Sequence, residues 1–212
     1  MTDTSPACGL PIGTVVLTPT GPVAVEDLAP GALVLAISGS SAPFQAVVGL
    51  RRRRWPGPMV RLRAEALDEG TPQQDLLLPP GHALLLDGAL VAAGELVDGH
   101  GILAEPAGEG IELVEVILAG HDAVLAAGAA VETLRPHPEA PDCAPRRAPD
   151  AALRAALSWR AERMGWASPR MAAEPDAEPG SLRERLAASA LAAALPPIPL
   201  PGDAGPPESA LD

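Results

Sequence analysis

The chain offers two thiols, Cys8 and Cys143, and four imidazoles, His82, His100, His121 and His137. A thiol acting with an imidazole suits covalent catalysis, in which sulfur attacks a carbonyl carbon and the ring moves the proton that the step requires. Cys8 opens the stretch CGLPIGTVVLTPTGPVAVEDLAPGALVL, directly ahead of a hairpin pattern, whereas Cys143 lies among prolines, where a solvated free thiol is the simplest reading. No two of these residues stand at C-x-x-C or H-x-x-x-H spacing, so no metal is expected. The glycines fall at turns rather than between a strand and a helix, and there is no G-x-S-x-G elbow, so neither a phosphate-binding cofactor nor a serine hydrolase is expected. Each imidazole also has a purely structural reading. His82 would close a strand end, His121 would be a turn residue ahead of Asp122, and His100 and His137 lie in Gly-rich and Pro-rich loops and receive no role.

Any such residues must be carried by a sizeable core, and 212 residues with 47% hydrophobic content can bury one domain with an appendage. The net charge of −12 argues against nucleic acid, and the cluster Arg51 to Arg54 reads as a solvated strand edge or turn. No apolar run is long enough to cross a membrane, no signal-like N-terminus is present, and two cysteines make no disulfide framework. A reducing, cytoplasmic setting is therefore expected.

Gly and Pro divide the first part of the chain into short pieces filled by β-branched residues and Leu, which predicts an all-β fold. The expected strands are 14–18, 23–25, 32–37, 45–52, 60–63, 75–78, 83–86, 89–91, 111–118 and 123–126. Turns at Pro19-Thr20-Gly21 and Asp87-Gly88 read as hairpins. After Leu134 prolines accumulate and alternation ends, so residues 136–212 read as a partly disordered tail. Two helices are expected in it: 150–164, with Asp150 as N-cap and Gly165 as stop, and 181–195, opened by the capping box Ser181 and Glu184. Trp55 is expected over the core near the arginine run, and Trp159 and Trp166 as anchors of the tail.

The order of four blocks resembles the bacterial branch of the hedgehog/intein (Hint) domain family. They are Cys8 with PIGT, the hairpin with VEDLAPGALVL, DLLLPPGHALLLDGALVAAGELVDG, and VEVILAGHDAVLAAGAAVETL. The resemblance implies a horseshoe of short antiparallel strands with a pseudo-twofold over residues 8–135, preceded by a short leader, 1–7, and followed by the tail. It also implies that the domain cleaves its own backbone, with its N-terminal peptide as substrate. Cys8 would attack the carbonyl of Ala7 to form a thioester, His82 would protonate the departing amide nitrogen, and His121 would occupy the later histidine block. Asp75, read as heading the same strand as His82, is a candidate for activating the thiol.

Two positions depart from the family pattern. Cys8 stands five residues before Gly13 rather than four, a slip that a bulge at Gly9 would absorb. Pro79 stands where a hydroxyl three residues before the histidine is expected. The chain contains no Asn, which excludes splicing by Asn cyclisation and leaves cleavage at the N-terminal side. The alternative is a degenerate, non-catalytic β module that binds a partner protein, for which the tail helices are the candidate surface.

Overall fold

Short runs rich in Leu, Val and Ala form strands of two to seven residues, several of them ended by glycine or proline turns. The computed structural model describes residues 8–37 and 43–168, all within one unit, Met1–Pro169. The leader 1–7 and the expected helix 181–195 lie outside the described residues. In chain order the elements are β1 (Leu10–Pro11), β2 (Val15–Thr18), β3 (Gly21–Ala24), β4 (Leu33–Leu35), β5 (Phe44–Ala46), β6 (Gly49–Trp55) and β7 (Met59–Leu62). They continue as β8 (Leu76–Leu78), β9 (Ala83–Leu86), β10 (Ala89–Ala92), β11 (Ile102–Glu105), β12 (Ile111–Ile117), β13 (Ala123–Ala126), β14 (Ala129–Glu132) and α1 (Ala151–Arg163).

All strand pairs are antiparallel, as the all-β reading requires. The largest sheet runs β10-β9-β14-β13-β2-β3, and smaller ones run β1-β12-β6, β11-β7-β8 and β4-β5. At the two ends of the large sheet the same unit recurs: hairpin β2–β3 leads into the 3₁₀ turn Val25–Asp27, and hairpin β9–β10 into Ala93–Leu96. Asp87 and Gly88, with φ of 47° and 72°, make the two-residue turn between Leu86 and Ala89. Ala127 and Gly128, at 47° and 82°, make a matching turn between β13 and β14. Leu62, Leu76, Leu78, Leu84, Ile102 and Leu113 fill the core, with no bulky aromatic among its fully buried residues.

The run expected as one strand over 45–52 is two. Val47 donates its N–H to Ala32 O at 2.8 Å, and Val48 donates to Ile117 O at 2.8 Å, so the chain leaves β4 and joins β12 between these residues. The arginine run forms an edge strand, as expected, but not a freely solvated one. Arg51 and Arg53 reach Glu115, Arg52 reaches Glu112, and Arg54 donates to Glu109 O. Charged side chains of this kind disfavour pairing of an exposed strand edge with another chain.

Residues 136–168 pack against the sheets. Leu90 N donates to Pro145 O at 2.9 Å and Arg147 N to Leu90 O at 3.0 Å, so the chain lies parallel along the β10 edge. Asp150 caps α1 by accepting from Leu153 N at 2.8 Å. Leu157 and Ala161 are buried, and Arg160 reaches the carbonyl and carboxylate of Glu65. Trp166 covers Gly101, whereas Trp159 is 56% exposed and stacks only on its helix neighbour Arg163. Among the described residues no helix is long and apolar enough to cross a membrane.

Candidate functional site

Cys8 and Gly9 enter the fold immediately before β1, whose Leu10 and Pro11 pair with Val114 and Leu113 of β12. Gly9 has φ of 120°, and a Cβ there would come within 3.0 Å of Glu115 Cγ and Leu113 Cβ. Both facts require glycine, and they let the chain pass over Glu115 with the buried Cys8 sulfur inside.

His82 heads β9, not the strand that Asp75 precedes. Pro79, Pro80 and Gly81 form a turn closed by His82 N donating to Pro79 O at 3.0 Å, and this turn separates β8 from β9. Asp75 accordingly lies elsewhere: its carboxylate accepts from Ala64 N at 2.9 Å and pairs with Arg61 at 3.4 Å. The His82 ring is buried, with Nδ1 at 3.1 Å from Gly9 O and Nε2 at 2.9 Å from Glu132 O. Both neighbours are acceptors, so a neutral ring, with its single N–H, can donate to only one of them.

Glu132, the last residue of β14, was not anticipated from the sequence. Its Oε1 accepts from Ala83 N at 2.7 Å, and its Oε2 pairs with the Arg146 guanidinium. His121 Nε2 lies 3.3 Å from the same Oε2, a close contact rather than an aligned hydrogen bond. Burial alone would raise the Glu132 pKa, but His121, His82 and Arg146 more than reverse this and bring it down to about 2. Cys8 behaves oppositely. Burial pushes its thiol far above the ordinary range, and the charges of Glu132 and then Glu115 push it further, against small opposing effects of the Gly9 N–H and Arg146. Cys8 therefore rests as a thiol and not as a thiolate.

His121 projects from the loop between β12 and β13 with its side chain fully buried. Its Nδ1 accepts the Cys143 N–H at 3.1 Å and lies 3.2 Å from Asp142 Oδ1. Asp142 is itself held by Arg135 and Arg146. Asp122 anchors the loop, accepting from Ala123 N at 2.7 Å and Gln45 Nε2 at 2.6 Å. Cys143 is half-buried rather than solvated, and burial followed by the charges of Asp122, Glu132 and Asp142 raises its pKa to about 11.

The structure thus brings Cys8, His82 and His121 to one place, leaves Asp75 outside it, and adds Glu132 and Arg146. Cys8, Glu132, His121, Arg51, Arg135 and Arg146 are among the residues that line a cleft of about 680 Å³. Cys8, His82 and Glu132 each present a potential metal-ligand atom within 4.8 Å of the others. The His82 nitrogens face carbonyls and the Glu132 oxygens are bonded, so an ion would have to displace these contacts. Glu132 and Glu115 had one sequence signal, an acid at the end or middle of an apolar strand.

Comparison with known families identifies the class to which this all-β scaffold belongs. The Hint domain model matches residues 8–138, and the chain belongs to the Hint domain family. Among solved structures, the chain is similar to the bacterial intein-like domain from Clostridium thermocellum at 18% identity, covering 60% of this chain and 99% of that one, with a TM-score of 0.48. It is similar to a DnaB intein from Synechocystis sp. PCC 6803 at 13% identity, covering 59% and 98%, with a TM-score of 0.46. The gp41-1 intein follows at 15% identity, covering 58% and 96%, with a TM-score of 0.44. No curated protein sequence matches the chain.

Proposed function

We propose that the chain is an autoprocessing Hint domain that cleaves its own backbone between Ala7 and Cys8 by an N–S acyl shift. The observation that supports this most is the grouping of Cys8, His82 and Glu132, with reactive atoms within 4.8 Å of one another beside an open cleft. In the proposed reaction the Cys8 sulfur adds to the Ala7 carbonyl, the Ala7–Cys8 C–N bond breaks, and His82 protonates the departing nitrogen. The proton lost by the thiol replaces the one His82 gives up, so no net proton leaves the site. Water or a small nucleophile then adds to the thioester, the C–S bond breaks and the Cys8 thiol is regenerated.

For this step His82 must move Nδ1 from Gly9 O to the Cys8 nitrogen, two peptide units back along the chain. The ionised Glu132 and the His82 ring attract each other, which favours positive charge on the ring during the transfer. Asp75 has no part in the proposed site, because its carboxylate is committed to Arg61 and Ala64. The high pKa of Cys8 and the proline at position 79 support the second reading, a scaffold that has kept the fold without the reaction.

A carrier domain fused ahead of residue 1 separates the two. Intact mass spectrometry with and without hydroxylamine is expected to show release of the carrier from the parent chain, no release from Cys8→Ala, and strongly reduced release from His82→Gln. An unchanged mass for the parent under all conditions would leave the non-catalytic module as the function.

A further inference from the structure

The segment just beyond the Hint match makes three separate contacts with the candidate site. Cys143 N–H donates to His121 Nδ1, Asp142 lies against the same nitrogen, and Arg146 bridges Glu132 and Asp142. The match ends at residue 138. The segment is itself fixed at both ends: Arg135 pairs with Asp142 at 2.6 Å, and two backbone hydrogen bonds pin residues 145 and 147 to Leu90 of β10.

We propose that residues 142–147 are a positioning strap, through which a part of the chain outside the Hint domain orients His121 and Glu132 for the reaction of Cys8. This rests on the autoprocessing reading above, but its structural half does not. A neutral imidazole that accepts an N–H at Nδ1 must carry its proton on Nε2, so the Cys143 amide selects the tautomer with the proton on the Glu132 side, and Arg135 and Arg146 neutralise the Asp142 carboxylate that would draw it to Nδ1. The groups facing the ring are Glu132 from β14, Asp142 and Cys143 from the strap, and Asp122 beside it, with Arg135 and Arg146 behind the carboxylates. Arg146 neutralises the oxygen of Glu132 that His121 approaches, and without it that oxygen keeps only the His121 contact while the other stays on the Ala83 amide. His121 and Glu132 would then lose their fixed relation while the strands that carry them stay paired.

The test uses the full chain labelled with ¹⁵N at histidine. Long-range proton–nitrogen correlation spectra read the His121 tautomer directly, whether or not the chain cleaves. The parent protein is expected to hold the Nε2–H form. Arg135→Ala and Arg146→Ala, which leave Asp142 free to draw a proton to Nδ1, are expected to mix the tautomers while far-ultraviolet circular dichroism stays unchanged, and Arg146→Lys is expected to restore most of the parent spectrum. In the carrier fusion the first two variants are expected to cleave roughly ten- to a hundredfold more slowly, the size of effect that follows loss of orientation. An Nδ1–H form in the parent, or spectra and rates unmoved in variants that remain folded, would overturn the strap. A parent that shows the Nε2–H form but never cleaves would overturn the autoprocessing reading alone.

Discussion

Two buried glutamates flank Cys8, and the chain holds them in different ways. Glu115 stands in the middle of β12 directly opposite Arg51, and its arginines come from β6, seven residues that pair with β12 in continuous register. Glu132 stands at the end of β14 and collects its partners from β9, the His121 loop and the strap at Arg146. One acid is braced by a ladder that cannot shift without unzipping a sheet. The other is held by the Ala83 amide of β9 and by side chains from two separate segments outside the sheets. The difference teaches where a scaffold can tolerate a buried charge as structure and where it leaves a charge adjustable, and the adjustable one is the one grouped with Cys8 and His82.

Removing both ladder cations tests the first half of that contrast. Arg51→Ala with Arg53→Ala strands the fully buried Glu115 carboxylate, and the expected loss is about 3–5 kcal/mol in chemical denaturation. Arg146→Ala, which leaves Glu132 with His121 and the Ala83 amide, is expected to cost about 1–3 kcal/mol. Equal losses would erase the distinction.

Acid titration probes the second half. Glu132 binds its proton less tightly when folded, so the stability it contributes is complete above the ordinary pKa of 4.5 and is lost as pH falls toward about 2. That drop corresponds to on the order of 3 kcal/mol for a group this buried. A Glu132→Gln protein is expected to lose this part of its acid lability, which urea titrations at pH 7, 4 and 3 would show.

Thiol reactivity gives the finest comparison. Both glutamates raise the Cys8 pKa, Glu132 more than Glu115. Iodoacetamide should therefore label Cys8 faster in Glu132→Gln than in Glu115→Gln, and both faster than in the parent, at alkaline pH. The reverse order would mean that the ladder acid and not Glu132 has the larger hold on the Cys8 thiol.

Strands rich in Leu and Val, such as β9, β12 and β13, were readable because short runs of these residues between glycines point to strands. β14 was not, since Ala129-Ala130-Val131-Glu132 carries little β preference and is made a strand by its pairing with β13 and β9. Nor was β1, two residues long and ending in proline. The same limits apply to the site. Cys8 and His82 stand out by residue type and by their blocks, whereas Glu132 looks like any acid closing a strand, and only register turns it inward. Arg146 sits in a proline-rich stretch that carries no periodic signal, so its attachment to the β10 edge is a tertiary fact. Asp75 failed for a local reason: the Pro79–Gly81 turn puts His82 on the next strand.

The central claim is that a thioester forms between Ala7 and Cys8, and the most direct measurement is the chemical identity of the new C-terminus after hydroxylamine treatment of the carrier fusion. Mass spectrometry of the released carrier should find a hydroxamate on Ala7 from the parent and no released product from Cys8→Ala. A carrier ending in an ordinary carboxylate at another residue, or released equally from Cys8→Ala, would contradict it.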